Sequence, residues 1–359
     1  MENLFLQELH ETLGANFTRI YGCHIPADYG NVSSELEAVN NHVVLLDRSY
    51  LGKLAITGAD SLDLLNRITT NDLQYLAVDT VADTVFTTPK GRLIDFCRVI
   101  NTREEIILVS SFFHINHLIE WVNRFVILED VTLKNVSKEY AWLTLIGPRS
   151  RQFIGQISNK QLAEKDEAIW LEIEGEAFPA LRNNNFKYSA YNFCFPNTKA
   201  RPIISFLLEH LKSFQGMMIG NTTFQILRVE SGMPDGVTEI TQDYNPHEAR
   251  LSQAISFTKG CYTGQEVIAR LDTYDKVQKY LMIIELSQEL IQKPPLEVYI
   301  DDENIGYLTS YIFNPVTKRS VGLGYLKKMY TTENDIYVEV QSEEKRIPAR
   351  SHIPPQAYL

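Results

Sequence analysis

The chain has few of the residues that bind structural metals or form disulfides. Among its 359 residues there are only four cysteines, Cys23, Cys97, Cys194 and Cys261, far apart in sequence. No two form a C-x-x-C pair and none has a histidine at zinc-finger spacing, so neither a zinc site nor a disulfide framework is expected. Positive charge is scarce too. The 34 Lys and Arg stand against 45 Asp and Glu, giving a formal net charge of −11. That balance excludes the basic footprint that displaces counterions from nucleic acid, and a polybasic attachment to anionic membranes. No apolar run reaches the roughly 18 residues of a spanning helix. The first residues lack both a basic-then-apolar leader and an Arg-rich, acid-poor transit pattern, so a cytoplasmic protein is expected. Internal repeats and low-complexity tracts are missing as well.

What is present reads as a large globular protein. A hydrophobic content of 44% and a length of 359 residues suffice for two or three units with substantial cores. Leu4, Phe5, Leu9 and Leu13 recur at helical spacing and predict an opening helix over 2–13. Strands are expected at 43–47 and 51–57, and a helix over 61–68 capped by Asp60. A two-strand ribbon follows at 79–87 and 93–100, turning at Pro89-Lys90-Gly91, then a strand at 105–110 and a helix over 116–125. Strands at 131–133 and 141–146 precede a short helix that Ser150 can cap. Asn183-Asn184-Asn185 marks a turn, and 202–213 is an amphipathic helix. This mixture of helices and antiparallel ribbons is α+β. Beyond about residue 275, short strands at 277–286, 296–300, 306–311, 320–326, 335–340 and 347–349 succeed one another between turn residues, the pattern of a small antiparallel β-barrel. The division predicted is 1–275, as two interwoven α+β subdomains, and 276–359, as the barrel.

Candidate chemistry concentrates in Lys259-Gly260-Cys261-Tyr262-Thr263-Gly264-Gln265-Glu266. Thr263 and Glu266 fit a capping box, which would place Cys261 just before a helix N-terminus, where partial positive charge favours a thiolate. In an extended segment Lys259 would lie on the same side and act in the same sense. On the local pattern alone, Cys261 as a small buried residue and Lys259 as a surface charge is the favoured reading. Two histidines, His114 and His117, are three apart, but they begin an expected helix and have no acidic companion at ligand spacing. Surface or capping roles are expected of them, and no metal site. Pro89-Lys90-Gly91-Arg92 lacks Walker spacing and reads as a hairpin turn.

The run Lys259 to Glu266 resembles the signature of YgfZ-type folate-binding proteins, which serve iron–sulfur cluster assembly and are relatives of the glycine-cleavage T-protein, an aminomethyltransferase. Leu46-Asp47-Arg48-Ser49, Leu65-Asn66-Arg67-Ile68-Thr69-Thr70-Asn71-Asp72 and Trp142-Leu143-Thr144-Leu145-Ile146-Gly147-Pro148 are similar to segments of T-protein-like chains. Arg228-Val229-Glu230-Ser231-Gly232-Met233-Pro234 is similar to their R-x-E-x-G-x-P segment. Gly306-Tyr307-Leu308-Thr309-Ser310 and Gly322-Leu323-Gly324-Tyr325 resemble their terminal barrel.

The resemblance implies T-protein-like folate-binding domains around a central cavity that holds tetrahydrofolate or a derivative, followed by the barrel. It implies Arg228, Glu230, Lys259, Tyr262, Gln265 and Arg270 as folate-binding residues. Glu230 would accept from pterin N–H groups, and the cations would meet carboxylates. It implies Cys261, with Lys259 and Asp95, for chemistry, and iron–sulfur client proteins as partners. Two departures bear on activity. Where T-proteins carry an acidic pair after a Gly-Gly turn, this chain has Asp95 followed by Phe96. Where they carry Y-T-G-E, it has Tyr188-Ser189-Ala190-Tyr191-Asn192. Both point from aminomethyl transfer toward an accessory role. A folate-dependent methyl- or aminomethyltransferase and a non-catalytic folate-sensing module remain as alternatives.

Overall fold

The polypeptide is organised by four sheets, seen in a computed structural model that describes residues 2–3, 6–20, 22–111, 114–159, 162, 168–290, 292–355. A six-stranded sheet runs in the order Ala168–Ile173, Glu176–Asn183, Ala190–Pro196, Tyr140–Ile146, Val44–Asp47, Met217–Ile219. Strand alternation explains its two faces. Ala141, Leu143, Leu145, Phe193 and Phe195 point to one side, where Ile203, Ile204 and Leu207 of the helix Ala200–Ser213 cover them. The intervening residues, Trp142, Thr144 and Asn192, are left for the opposite face.

A five-stranded sheet has the order Thr80–Thr87, Leu93–Asn101, Ile106–Ser110, Gly52–Thr57, Thr132–Asn135. The helices Ser61–Ile68 and Ile115–Asn123 pack on it through Leu64, Leu65, Leu118 and Val122. The six strands Lys279–Leu286, Leu296–Ile300, Glu303–Asn314, Arg319–Lys327, Ile336–Ser342 and Lys345–His352 close into an antiparallel barrel. The α+β class and the terminal barrel expected from the sequence are therefore both present. Among the described residues no helix is long and apolar enough to cross a membrane.

Several local expectations are corrected. The opening helix is confined to Gln7–Thr12, because Glu2–Asn3 instead pairs in parallel with Cys23–His24; Leu4 and Phe5 lie outside the described residues. Asp60 occupies the N-cap position of Ser61–Ile68 without capping it. Its carboxylate accepts from Asp130 N–H across a loop. Arg149, not Ser150, precedes the helix Ser150–Ser158, and the buried Ser150 hydroxyl has no partner among the described residues.

One buried polar cluster joins the first helix to the six-stranded sheet. His10 Nε2 lies 2.8 Å from Asp47 Oδ2, and Tyr29 Oη lies 2.8 Å from His10 Nδ1. Burial alone would raise the Asp47 pKa, but bonds from His10 and Ser49 outweigh it and hold the carboxyl below its ordinary value. A depressed carboxyl contributes stability above its unfolded pKa and loses it as pH falls through the folded one. The prediction is that Asp47→Asn destabilises the protein by about 3 kcal/mol at neutral pH, the cost of breaking a buried pair. The variant's urea midpoint should also fall less than the wild type's below about pH 4, a difference measurable by denaturation across pH.

Candidate functional site

The other faces of the two large sheets pack on each other through Ala55, Ile107, Val109, Trp142, Leu181 and Cys194, and beside this contact the helix Asn221–Glu230 and the loop 233–240 complete a central cavity. The room it offers to water-sized molecules is about 150 Å³, within a space of about 1020 Å³ that includes the open mouth. Trp142, Phe96 and Phe224 supply apolar wall. The polar wall contains one acid with an unusual number of donors. Asp95 is 1% exposed. Its Oδ2 accepts from Ser110 Oγ–H at 2.5 Å and Ser111 N–H at 3.3 Å, and its Oδ1 from Phe96 N–H at 2.9 Å and Ser111 Oγ–H at 3.4 Å. His114 Nδ1 is a further 3.2 Å from Oδ1.

Three arginines face the same cavity in different states. Arg98 grips Asp83 with a two-pronged fork at 2.7 and 2.8 Å, a geometry that fixes both side chains. Arg228 donates to Met233 O at 2.8 Å, Glu239 Oε2 at 3.1 Å and Gln225 Oε1 at 2.8 Å. Arg48 has no carboxylate partner among the described residues and lies over the Phe224 ring, 4.5 Å from its centroid. Neutral amides complete the lining. Asn192 Oδ1 accepts from Thr144 Oγ–H and Asn183 Nδ2–H, which leaves its own amide hydrogens as donors.

The segment 259–266 lies outside this lining. Its anchor is Lys259, whose Nζ donates to Asn66 O at 2.6 Å, Thr69 O at 2.9 Å and Asn71 O. These carbonyls lie at and beyond the end of the helix Ser61–Ile68, where helical partners run out. Burial pushes the ammonium pKa down to about 8, yet three acceptors match its three donors. Tyr262 packs with Ile255 and Ile268 beneath the loop. Cys261 is exposed, whereas Cys23, Cys97 and Cys194 are buried.

The GCVT N-terminal domain matches residues 6–259, and the glycine cleavage T-protein C-terminal barrel domain matches residues 279–357. This chain belongs to the glycine cleavage T-protein family. An aminomethyltransferase of Bacillus licheniformis is 28% identical over 353 residues, covering 96% of this chain and 95% of that protein. A putative chloroplastic transferase of Arabidopsis thaliana is 27% identical over 319 residues, covering 89% of this chain and 73% of the relative. The crystal structure of the glycine cleavage system aminomethyltransferase T from Bartonella henselae shares the fold, with a TM-score of 0.84 at 19% identity. That match covers 100% of this chain and 98% of the other.

In this T-protein family member, Asp95 and Arg228 are the two sequence-derived candidates that reach the cavity. Glu230 does not. Residues two apart on a helix point to nearly opposite faces, so the helix Asn221–Glu230 turns Arg228 inward and Glu230 toward the barrel. There Glu230 accepts from Asn314 Nδ2–H and shares a separate cleft with Glu285 and His352. Lys259, Tyr262, Gln265 and Arg270 are absent from the cavity lining; Gln265 Nε2–H donates to Gly260 O within its own loop, and Arg270 is exposed. The capping box does not form. The helix Gln265–Thr273 is preceded by Gly264 at φ +86°, with no side-chain cap. A β-carbon on Gly264 would sit 2.7 Å from Thr88 O, so this contact requires glycine. Thr263 is used instead through its backbone, its N–H donating to Arg67 O and its carbonyl accepting from Thr87 Oγ–H.

The pattern did not single out Arg98, Asp83 and Asn192, which belong to no recognised motif, and it gave Arg48 no role although Arg48 lies in the T-protein-like segment Leu46-Asp47-Arg48-Ser49. Asn192 carried a faint signal, since it ends the stretch that departs from the family's Y-T-G-E. The prediction is that Lys259→Met, which removes three bonds to a charged group, lowers stability by about 2 kcal/mol. It should also speed alkylation of Cys261 by iodoacetamide, followed by mass spectrometry. An unchanged rate and midpoint would mean that the loop does not depend on the clamp.

Proposed function

We propose that this chain binds tetrahydrofolate, or a derivative of it, in the central cavity of a folate-binding region spanning about residues 1–275. On this reading it serves as an accessory protein in the maturation or repair of iron–sulfur proteins, as YgfZ-type proteins do. The observation that carries the proposal is the separation of two features. The cavity acid, Asp95, is positioned by donors of its own chain, and the exposed cysteine, Cys261, is held on a clamped loop outside the cavity. A flat pterin needs apolar surface for its faces and hydrogen-bonding groups at its edge. Trp142 and Phe96 supply the first, and Asp95, Arg48 and Asn192 the second. Cys261 then acts on a client by thiol chemistry or contact, from outside the cavity.

A second reading, aminomethyl transfer, is favoured by the position of Asp95 in the cavity wall and by relatives named aminomethyltransferase. Against it stands Phe96, which lines the cavity where the resemblance places a second acid.

Calorimetric titration with tetrahydrofolate and its 5-formyl derivative tests the folate site. Arg48→Met and Asp95→Asn are expected to weaken binding roughly tenfold or more, about 1.4 kcal/mol per decade. Glu230→Ala should leave it unchanged. No binding to wild type at millimolar ligand would remove the proposal. Cys261→Ala is expected to fold and bind folate while failing to support an iron–sulfur enzyme's activity in cells lacking the wild-type chain. Full support by that variant would shift the reading to a non-catalytic folate-sensing module.

A further inference from the structure

His114 immediately precedes the helix Ile115–Asn123 and occupies its N-cap position, yet its side chain makes no capping bond. The capping role expected from its sequence position is therefore not filled. The ring turns instead to the cavity acid, with Nδ1 3.2 Å from Asp95 Oδ1 and 23% of the side chain exposed. Asp95 arrives from the strand Leu93–Asn101 in a different part of the chain, which is why no local spacing announced the pair. Behind the ring, a β-carbon on Gly236 would lie 3.9 Å from Cε1, so the loop carrying Asp235 packs against it.

The groups facing the ring come from three elements. The strand Leu93–Asn101 contributes Asp95. The end of Ile106–Ser110 and the residue after it contribute the Ser110 and Ser111 hydroxyls, both bound to the same carboxylate. The loop contributes Asp235, whose charge also acts on the imidazole. Both charged groups are anionic.

We infer that His114 is the positioning residue of the cavity acid: protonated, it pairs with Asp95, and neutral, it leaves the Asp95 charge facing the ligand held only by the uncharged donors of Ser110, Ser111 and Phe96. Burial on its own lowers the imidazole pKa, but the close approach and charge of Asp95, with a smaller contribution from Asp235, raise it above its ordinary value. The ion pair therefore exists below the raised pKa and is lost as pH rises through it. That titration falls where small shifts change the charge of a histidine near neutrality. A ligand edge that donates hydrogen bonds binds this unbalanced carboxylate better than the one paired with a cationic imidazolium. This consequence rests on the folate reading above, whereas the pairing itself does not.

An NMR pH titration of the His114 Cε1–H signal, assigned by its loss in His114→Gln, tests the pairing without ligand. The wild-type midpoint is expected above the ordinary value of about 6.5, and Asp95→Asn should bring it to that value or below. A wild-type midpoint at or below about 6.5 overturns the inference with no variant needed, and an unshifted midpoint in Asp95→Asn overturns it as well. With ligand, tetrahydrofolate affinity should rise roughly threefold to tenfold as pH passes upward through the midpoint, a tenfold change corresponding to one pKa unit of coupling. In His114→Gln, which keeps a donor that does not titrate, the profile should be flat; an unaltered slope contradicts the inference. Failure of wild type to bind tetrahydrofolate at any pH counts against the folate reading, and the His114 midpoint still decides the pairing.

Discussion

The buried pair of Arg228 and Glu239 is the constraint on which the cavity and its relation to the barrel depend. Their side chains are 5% and 0% exposed, and an ion pair so buried repays desolvation only when its remaining polar atoms are also satisfied. They are. Glu239 Oε2 accepts from Arg228 and from Asp235 N–H, and Oε1 accepts from Thr309 Oγ–H on the barrel strand Glu303–Asn314. The Glu239 carbonyl accepts from Tyr325 Oη–H on the neighbouring barrel strand. One charge pair thus fixes the helix, the loop 233–240 that walls the cavity, and two strands of the barrel. The barrel acts as a brace for the site.

A second set of bonds ties the cysteine loop to the scaffold that carries the cavity residues. Lys259 holds Asn71 O, and Asn71 Nδ2–H in turn donates to Asp83 O, next to the fork with Arg98. Thr87 and Gly91, at the tip of the ribbon leading to Asp95, touch Thr263, Gly264 and Val267. The lysine motif at the centre of the sequence pattern is therefore structural in its immediate chemistry. Its charge is committed to three carbonyls, and its effect on Cys261 is to fix the position of the loop.

Much of the architecture was legible because it rests on short-range rules. The apolar run 141–146 and the ribbon at 79–87 and 93–100 around its Pro89-Lys90-Gly91 turn read as strands, and the turn-punctuated strands after 275 predicted the barrel. The site was less legible because tertiary geometry decides it. Arg228 and Glu230 look like partners in sequence, but a helix separates them by more than half a turn, and Arg228 finds Glu239 instead. His114 lacked an acidic neighbour in sequence and gained Asp95 only when two strands and a helix met. Thr263 and Glu266 fit a capping box, but tight packing of Gly264 against Thr88 set the helix start. Arg48 and Asn192 lie in segments the sequence pattern touched, but only the shape of the cavity shows what their side chains face.

On the proposed reading, tetrahydrofolate occupies the cavity between the sheets and not the cysteine loop. Hydrogen–deuterium exchange with and without saturating tetrahydrofolate tests it directly, because protection maps the site without any substitution. Slowed exchange is expected in the strands Leu93–Asn101 and Ala190–Pro196 and in the loop 233–240, whose residues surround the cavity. Protection confined to the segment 259–273, or none in those strands and that loop, would contradict the account.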